Sequence, residues 1–306
     1  MQTRKIGSLQ ASVVGLGCNN FGWRIDAEAS AKVVDTAIES GVTFFDTADR
    51  YGKGQSEDFL GRALGRRRDE IILATKFGME MENGQQGASP KYVREAIDAS
   101  LRRLRTDRIE LYQLHQPDPK TPIADTLGAL DELVRAGKVR EIGCSNFSVP
   151  QIREAEDASQ GHAQFVSVQN QFSLFHREPE TSGVLAECAS RGLAFLPYFP
   201  LANGLLTGKY RKDMKLPEGS RAADRWGPKV FTERNLAIVE SLIEFAESKG
   251  HTLLELAFSW LLSHKPVASV IAGASKPEQV RANAKAANWQ LSPGELAEID
   301  SIMNDT

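Results

Sequence analysis

Hydrophobic and polar positions alternate along the chain on two length scales. Short apolar runs, rich in β-branched and aromatic residues, are followed by longer stretches that carry apolar residues on one helical face. The alternation continues through the sequence and is typical of βα units repeated around a parallel sheet. We predict strands at residues 13–17, 43–46, 71–76, 109–115, 139–145, 165–170, 193–197 and 269–272.

Amphipathic stretches fill the intervals between these strands. Two helices beyond the repeat are predicted at 233–249 and 293–303, and residues 3–12 are predicted to form a hairpin. The pattern indicates an α/β fold, a (β/α)8 TIM barrel with an N-terminal hairpin and two additional helices. We expect residues 1–306 to form this single domain, because such barrels accommodate this length. The helices of the repeat are predicted at residues 27–40, 56–64, 90–104, 123–135, 149–158, 183–190, 253–263 and 277–286.

Composition and charge narrow the class of protein. The 306 residues are 41% hydrophobic and 25% charged, which is ordinary for a globular chain with a large core. The net charge is −3 and the basic residues are scattered, which argues against nucleic acid as a partner. The three cysteines form no disulfide or zinc pattern, and no apolar run approaches the roughly 18 residues that span a membrane. We therefore expect a cytoplasmic protein with no membrane partner.

Four polar side chains follow three successive predicted strands. Asp46, Lys76 and His115 close the second, third and fourth strands, and Tyr51 lies five residues beyond Asp46. Each alone has an ordinary structural explanation, such as a turn cap, a solvated strand end, a core histidine or a packing aromatic. Active sites of these barrels lie at the C-terminal ends of strands, and neighbouring strands are only about 5 Å apart. The four residues together therefore predict a catalytic site.

The four residue types suit proton donation to an oxygen that becomes negative. A phenol has an ordinary pKa of about 10, so Tyr51 needs a nearby positive charge to donate its proton efficiently. Lys76 would supply that charge, and Asp46 would keep the buried ammonium protonated. We expect His115 to be a neutral imidazole that orients a carbonyl group.

Five segments are informative together, namely FFDTADRYG at 44–52, ATK at 74–76, LYQLH at 111–115, GCSNF at 143–147 and GLLTGKY at 204–210. They resemble segments of the aldo-keto reductase superfamily. The resemblance extends from residue 15 to residue 283, and the segments occur in the order of the family. It implies NADPH-dependent reduction of aldehydes or ketones to alcohols by hydride transfer, with Tyr51 as general acid. NADH is the less expected cofactor.

The same resemblance implies a nicotinamide cofactor extended across the barrel mouth. Recognition of a 2′-phosphate would then fall to Ser275, Lys276, Arg281 or Arg221, near a helix start that favours anions. The implied cofactor contacts fall in three groups. Gly17, Asp46, Ser145, Asn146, Gln169 and Tyr198 are expected at the nicotinamide end; Phe199, Pro200, Leu201, Gly204, Lys209 and Arg221 along the pyrophosphate and ribose; and Gly273, Ser275, Lys276, Gln279 and Asn283 at the adenosine end.

Aromatic residues in or beside the loops after strands are candidates for the substrate pocket. An aromatic mouth favours carbonyl compounds with a hydrophobic substituent, while the particular aldehyde or ketone stays open. The candidate walls are Trp23, Phe77, Met79, Phe147 and Trp226, beside Tyr51 and His115.

Other functions are possible from the same sequence. The segment 15–20 lacks the third glycine of a dinucleotide fingerprint, and 204–210 is one residue too short for a P-loop. The five histidines are too far apart for a metal pair, and the paired carboxylates of a hydrolase are missing. The same fold also serves as the β subunit of voltage-gated potassium channels. The compact chain, with no N-terminal extension, favours an enzyme over such a binding protein.

Overall fold

Parallel strands form a curled sheet whose outer face is flanked by helices. The computed structural model describes residues 1–82, 84–159, 161–211 and 227–304. Two sheets occur in these ranges, an eight-stranded parallel sheet and an antiparallel pair. Their strands are β1 Thr3–Ile6, β2 Leu9–Ser12, β3 Val14–Gly17, β4 Phe44–Asp46, β5 Ile72–Phe77, β6 Ile109–Leu114, β7 Val139–Ser145, β8 Phe165–Gln169, β9 Ala194–Phe195 and β10 Val270–Gly273.

The helices follow the strands in the expected alternation. Local capping explains where several begin: the Asp26 carboxylate accepts from the backbone N–H of Ala29 at 2.9 Å, and Thr252 and Glu255 form a reciprocal capping box. The α-helices are α1 Ala27–Glu39, α2 Gln55–Leu64, α3 Pro90–Leu104, α4 Ile123–Arg135, α5 Val149–Ala158, α6 Glu178–Thr181, α7 Val184–Arg191, α8 Gly227–Val230, α9 Glu233–Ser248, α10 Leu253–Ser263, α11 Pro277–Lys285 and α12 Pro293–Asn304. Short 3₁₀ segments cover Tyr51–Gly54, Gly65–Glu70 and Ala202–Thr207.

The sheet closes on itself at its shortest strand. Strands β3 to β9 are neighbours in chain order, and β10 returns to pair with β3. At the other end, Phe195 of β9 forms a parallel bridge with Val267. The backbone N–H of Phe195 donates to the Pro266 carbonyl at 2.7 Å, and that of Ala268 donates to the Phe195 carbonyl at 3.0 Å. The predicted (β/α)8 barrel is therefore confirmed.

The antiparallel hairpin fills one end of the barrel interior. Ile6, Leu9 and Ala11 are buried in one cluster with inward-facing strand residues such as Phe44 and Leu111. This cluster is separate from the larger one between the strands and the helices. The predicted hairpin at 3–12 is confirmed, and it leaves the opposite end of the barrel as the open end.

Three details differ from the sequence prediction. Helices α6 and α8 were not expected, because four-residue helices have no measurable periodicity. Strand β9 has two residues instead of the predicted 193–197, although the N–H of Leu196 still donates to the carbonyl of Val168.

Within the described ranges, no helix is both long enough and apolar enough to cross a membrane.

The contact between α2 and α3 depends on a glycine. A Cβ atom at Gly61 would lie 2.6 Å from the backbone carbonyl atoms of Leu104, which cannot move aside as a side chain could. We expect Gly61→Ala to destabilise the fold by about 1–3 kcal/mol through overpacking. The matched control is Gly128→Ala in α4, where nothing lies within 4 Å, and about 0.5–1 kcal/mol of stabilisation is expected. Urea unfolding midpoints measure both, and shifts in the same direction would contradict the argument.

Candidate active site

A cavity of about 1210 Å³ opens at the C-terminal ends of the barrel strands. Its floor includes the final residues of five strands, namely Gly17, Asp46, Ser145, Gln169 and Gly273. The volume exceeds the roughly 300–1,000 Å³ usual for small-ligand pockets. The cavity can therefore hold a large cofactor and a second small molecule together.

An ion pair lies beneath this floor. The Lys76 ammonium donates to the two carboxylate oxygens of Asp46 at 2.8 and 2.6 Å and to the Thr47 carbonyl at 2.9 Å. Lys76 is fully buried and Asp46 is 4% exposed. The side-chain amides of Gln113 and Gln169 also donate to Asp46, at 3.3 and 3.1 Å. Each buried charge is thus hydrogen-bonded, as a charge at such depth requires.

Strand register explains why these side chains meet. In the parallel ladder, Asp46 pairs with Ala74 and Lys76 pairs with Gln113. Side chains alternate between the two faces of a strand, so Ala74 and Lys76 share the inner face of β5. The long Lys76 side chain then reaches across to Asp46, which ends the neighbouring strand.

Tyr51 and His115 stand above the ion pair, in the lining of the cavity. Their rings meet edge to face with centroids 5.7 Å apart, and the Lys76 nitrogen lies 5.2 Å from the Tyr51 ring centroid. The loop that carries Tyr51 is fixed to the barrel, because Thr47 N–H donates to the Ala74 carbonyl at 2.9 Å. The four residues of the sequence prediction are therefore brought together.

Burial determines the protonation states of Tyr51 and His115. It raises the pKa of the Tyr51 phenol, and the Lys76 charge opposes that rise without cancelling it. Burial, with the charges of Lys76 and Arg50, lowers the pKa of His115 well below 6.5. For Lys76 the burial effect, which lowers its pKa, is outweighed by Asp46 and Tyr51, so the net direction is upward. The site thus presents a neutral phenol and a neutral imidazole over a charged ammonium.

Amide and hydroxyl groups line the wall beside these residues. Ser145 Oγ donates to the Gln169 carbonyl at 2.6 Å, and Asn146 Nδ2 donates to the His115 carbonyl at 3.0 Å. The Tyr198 hydroxyl donates to Asn146 Oδ1 at 2.8 Å. Asn146 adopts the left-handed backbone region, with φ of 62°, where asparagine is better tolerated than most residues. These groups can bind a planar amide.

The far end of the cavity is the start of helix α11. Ser275 N–H and Oγ both contact Gln279 Oε1, at 2.8 and 3.2 Å, and no side chain caps the helix at Lys276. A Cβ at Gly273 would lie 3.1 Å from Asn19 Oδ1, so glycine allows the end of β10 to pack against the first barrel loop. A helix start beside a lysine favours a bound anion.

Charge in the cavity is one-sided. Among the described lining residues, Asp46 is the sole carboxylate, and it is paired with Lys76. Such a surface attracts a ligand with several negative charges. The cationic lining residues are Arg24, Arg50, Lys53, Lys209 and Lys276.

Most residues predicted for the site line the cavity, and Lys76 lies directly below it. Phe77 and Phe147 do not line it: Phe77 is fully buried and stacked on Tyr112, and Phe147 is 3% exposed and packs against Phe165. Arg221 and Trp226 lie outside the described residues. The predicted residues in the lining are Gly17, Trp23, Asp46, Tyr51, Met79, His115, Ser145, Asn146, Gln169, Tyr198, Phe199, Pro200, Leu201, Gly204, Lys209, Gly273, Ser275, Lys276, Gln279 and Asn283.

Sequence reasoning missed several lining residues in the loops after β3 and β4. The sequence did contain a signal for them, because these loops follow the C-terminal ends of predicted strands, where active sites of this fold lie, and they flank Gly17 and Tyr51. The missed polar residues in these two loops and at the start of α2 are Asn19, Asn20, Arg24, Arg50, Lys53 and Gln55.

The structure is thus a (β/α)8 barrel with a buried Lys–Asp pair beneath a tyrosine, at the floor of a large cationic cavity, and the comparisons identify it as a barrel oxidoreductase. The chain belongs to the Aldo/keto reductase family, whose model matches residues 13–304. It is 34% identical over 324 residues to L-glyceraldehyde 3-phosphate reductase of Escherichia coli O157:H7, covering 100% of this chain and 93% of that protein.

Two further comparisons agree with this assignment. The chain is 36% identical over 308 residues to the aldo-keto reductase yakc of Schizosaccharomyces pombe, whose name specifies NADP(+), with 97% of this chain and 90% of that protein covered. The solved structure of a glycerol dehydrogenase from Gluconobacter oxydans is similar with a TM-score of 0.87 at 31% identity, over 99% of this chain and 95% of that chain.

The lowered pKa of His115 makes folding sensitive to acid. Below about pH 6.5 an unfolded histidine takes up a proton that the folded site refuses, so stability falls as the pH falls. We expect the difference in unfolding free energy between wild type and His115→Gln to decline by up to about 1.4 kcal/mol per pH unit below that point. Urea unfolding at intervals from pH 7.5 to 5 measures it. A difference that is independent of pH would show that folded His115 is protonated as readily as the unfolded residue.

Proposed function

We propose that this protein is an NADPH-dependent reductase that converts aldehydes or ketones to alcohols, with Tyr51 as the general acid. The observation that carries the proposal is the position of Tyr51, above the buried Lys76–Asp46 pair and beside His115 in the cavity. A phenol over a fixed ammonium can release a proton and leave a stabilised anion.

The chemistry of the cavity fits a nicotinamide dinucleotide. Ser145, Asn146 and Gln169 would hold the carboxamide, and Tyr198 would stack on the ring. The cationic residues and the start of α11 would meet the phosphates. When bound, the reduced cofactor supplies a hydride for the carbonyl carbon.

Side chains of the site orient and protonate the carbonyl oxygen of the substrate. Tyr51 donates its phenolic proton to the carbonyl oxygen as negative charge develops there. Lys76 stabilises the phenolate that remains, and Asp46 keeps Lys76 protonated. His115, neutral because of its lowered pKa, donates one N–H that orients the same oxygen. Because burial raises the pKa of Tyr51, the phenol keeps its proton until negative charge develops on the substrate oxygen.

Preference for NADPH over NADH is proposed from the adenosine end. Lys276 and Ser275 lie at the start of α11, in the cavity lining, where a 2′-phosphate would add negative charge. The NADP(+) in the name of the relative yakc supports the same cofactor.

We also infer a reducing, cytoplasmic location, because Cys18, Cys144 and Cys188 are all buried free thiols.

The cofactor preference can be tested at Lys276. We expect Lys276→Ala to weaken NADPH binding more than NADH binding, because a charged contact to the additional phosphate is lost. The control is Lys285→Ala, at the other end of the same helix and outside the cavity lining. Dissociation constants from nicotinamide fluorescence decide the matter. Equal losses for the two cofactors would assign Lys276 to helix capping alone.

The mechanism can be tested at Tyr51. Tyr51→Phe removes one oxygen and keeps the ring, so we expect reduction of an aldehyde to fall by at least roughly 10²–10⁴-fold while NADPH affinity is little changed. The measurement is kcat at saturating NADPH, with the cofactor Kd determined alongside. Turnover by the wild type also distinguishes an enzyme from a channel β-subunit-like binding protein.

The control for Tyr51 is Tyr210→Phe, which deletes a buried hydroxyl that does not line the cavity. This variant is expected to retain wild-type turnover. Near-normal turnover in Tyr51→Phe would mean that another group or water delivers the proton.

A further inference from the structure

A buried carboxyl group lies on the loop that carries Tyr51, two residues before it. Asp49 is 2% exposed, and it does not belong to the cavity lining. Its backbone N–H donates to the Lys76 carbonyl at 3.1 Å, so its position is fixed relative to β5. Asp49 is therefore close to Tyr51 in sequence and to Lys76 in space, outside the cavity lining.

The charge of Asp49 is poorly compensated. Its Oδ1 atom has no hydrogen-bond partner among the described residues. The guanidinium whose charge acts on Asp49, that of Arg103, is hydrogen-bonded to Glu57: Arg103 Nε donates to Glu57 Oε2 at 2.6 Å, and Thr75 Oγ1 donates to Glu57 Oε1 at 2.6 Å. One cation thus faces two buried carboxyl groups. The groups that act on Asp49 or feel its charge are Glu57 on α2, Tyr92 and Arg103 on α3, Lys76 on β5, Tyr112 on β6 and the backbone N–H of Arg50.

Because its charge is incompletely compensated, Asp49 has a pKa in the neutral range. Burial and then the charge of Glu57 raise the pKa of Asp49 to about 7, and Arg103, the Arg50 N–H and Lys76 offset only part of that rise. His115, the residue type that ordinarily titrates there, has its pKa held well below 6.5. Near neutral pH, the group that changes charge beside the site is an aspartate.

We propose that Asp49 is a positioning residue, and that its proton, rather than that of His115, sets the pH dependence of carbonyl reduction near neutrality. This inference rests on the proposed function of Tyr51. A protonated Asp49 adds no negative charge near Lys76, whose ammonium stabilises the Tyr51 phenolate. An ionised Asp49 adds a negative charge that acts on Lys76 and offsets part of that stabilisation. Reduction is therefore faster when Asp49 carries its proton.

The test compares wild type with Asp49→Asn, which keeps the shape and holds the position uncharged. The readout is the single-turnover rate of aldehyde reduction at saturating NADPH between pH 5.5 and 8.5. Wild type should slow by a factor of about two to ten as the pH rises through 7, the scale of one charge acting over several ångströms. Asp49→Asn should remain at the level of the low-pH plateau. A flat wild-type profile, or the same inflection in Asp49→Asn, would overturn the proposal.

A second variant moves the inflection instead of removing it. Glu57→Gln deletes the neighbouring negative charge and releases Arg103 towards Asp49, so the inflection should shift to lower pH. This variant decides the question if Asp49→Asn folds poorly. An inflection that stays in place would contradict the proposal.

A measurement without turnover separates this inference from the proposed function. Because the pKa of Asp49 is raised on folding, the folded protein gains a proton, and stability is lost as the pH rises from about 4 through 7. The urea midpoint of Asp49→Asn relative to wild type should therefore increase from pH 5 to pH 8. An unchanged difference would refute the titration of Asp49 even if the protein reduced no aldehyde.

Discussion

The ion pair between Lys76 and Asp46 is the interaction on which the site depends. Transferring two such charges from water into a protein interior costs several kcal/mol per ion, and attraction repays this only when the remaining hydrogen bonds are also made. Here the ammonium has two carboxylate contacts and the Thr47 carbonyl, and the carboxylate also accepts from Gln113 and Gln169. The barrel makes this possible, because inward-facing side chains of neighbouring strands end at one level.

The burial that fixes this pair has opposite effects on the two neutral groups above it. It makes His115 harder to protonate, which suits an N–H donor to oxygen. It also raises the pKa of Tyr51, so the ammonium below does not produce a strong acid in the resting site. In the proposed reaction this is no obstacle, since an alkoxide is far more basic than a phenolate. The stabilising charge acts on the phenolate once it forms, and the proton is not lost beforehand.

The sequence predicted the barrel because each strand is an apolar run, and Asp46, Lys76 and His115 lie at or next to the ends of three of these runs. It placed two aromatic residues wrongly relative to the cavity for a geometric reason. Phe77 follows Lys76 directly, and successive strand residues point to opposite faces, so an inward Lys76 turns Phe77 outward onto Tyr112. Phe147 follows Asn146, whose left-handed backbone redirects the chain.

The acidic cluster behind the site was beyond sequence reasoning. Glu57 lies on an amphipathic helix, where a glutamate ordinarily faces solvent, yet it is fully buried against Thr75 and Arg103. These partners are 18 and 46 residues away, so the contact is tertiary and has no local signal. The lack of a hydrogen-bond partner for Asp49 Oδ1, in the part of the chain that the structure describes, also has no local signal, because it depends on how α2 and α3 pack on the barrel.

The number of hydrogen-bond partners agrees with the charge states of Lys76, His115 and Asp49. Lys76 stays charged because its ammonium donates to both carboxylate oxygens of Asp46 and to the Thr47 carbonyl. His115 has a buried Nδ1 without a hydrogen-bond partner in the described structure, and it is neutral. Asp49 has partial compensation, so its carboxyl is balanced between its two forms near pH 7. Since a buried group keeps a charge only to the extent that neighbours replace water, the packing of Glu57 on α2 and Arg103 on α3 determines how readily Asp49 loses its proton.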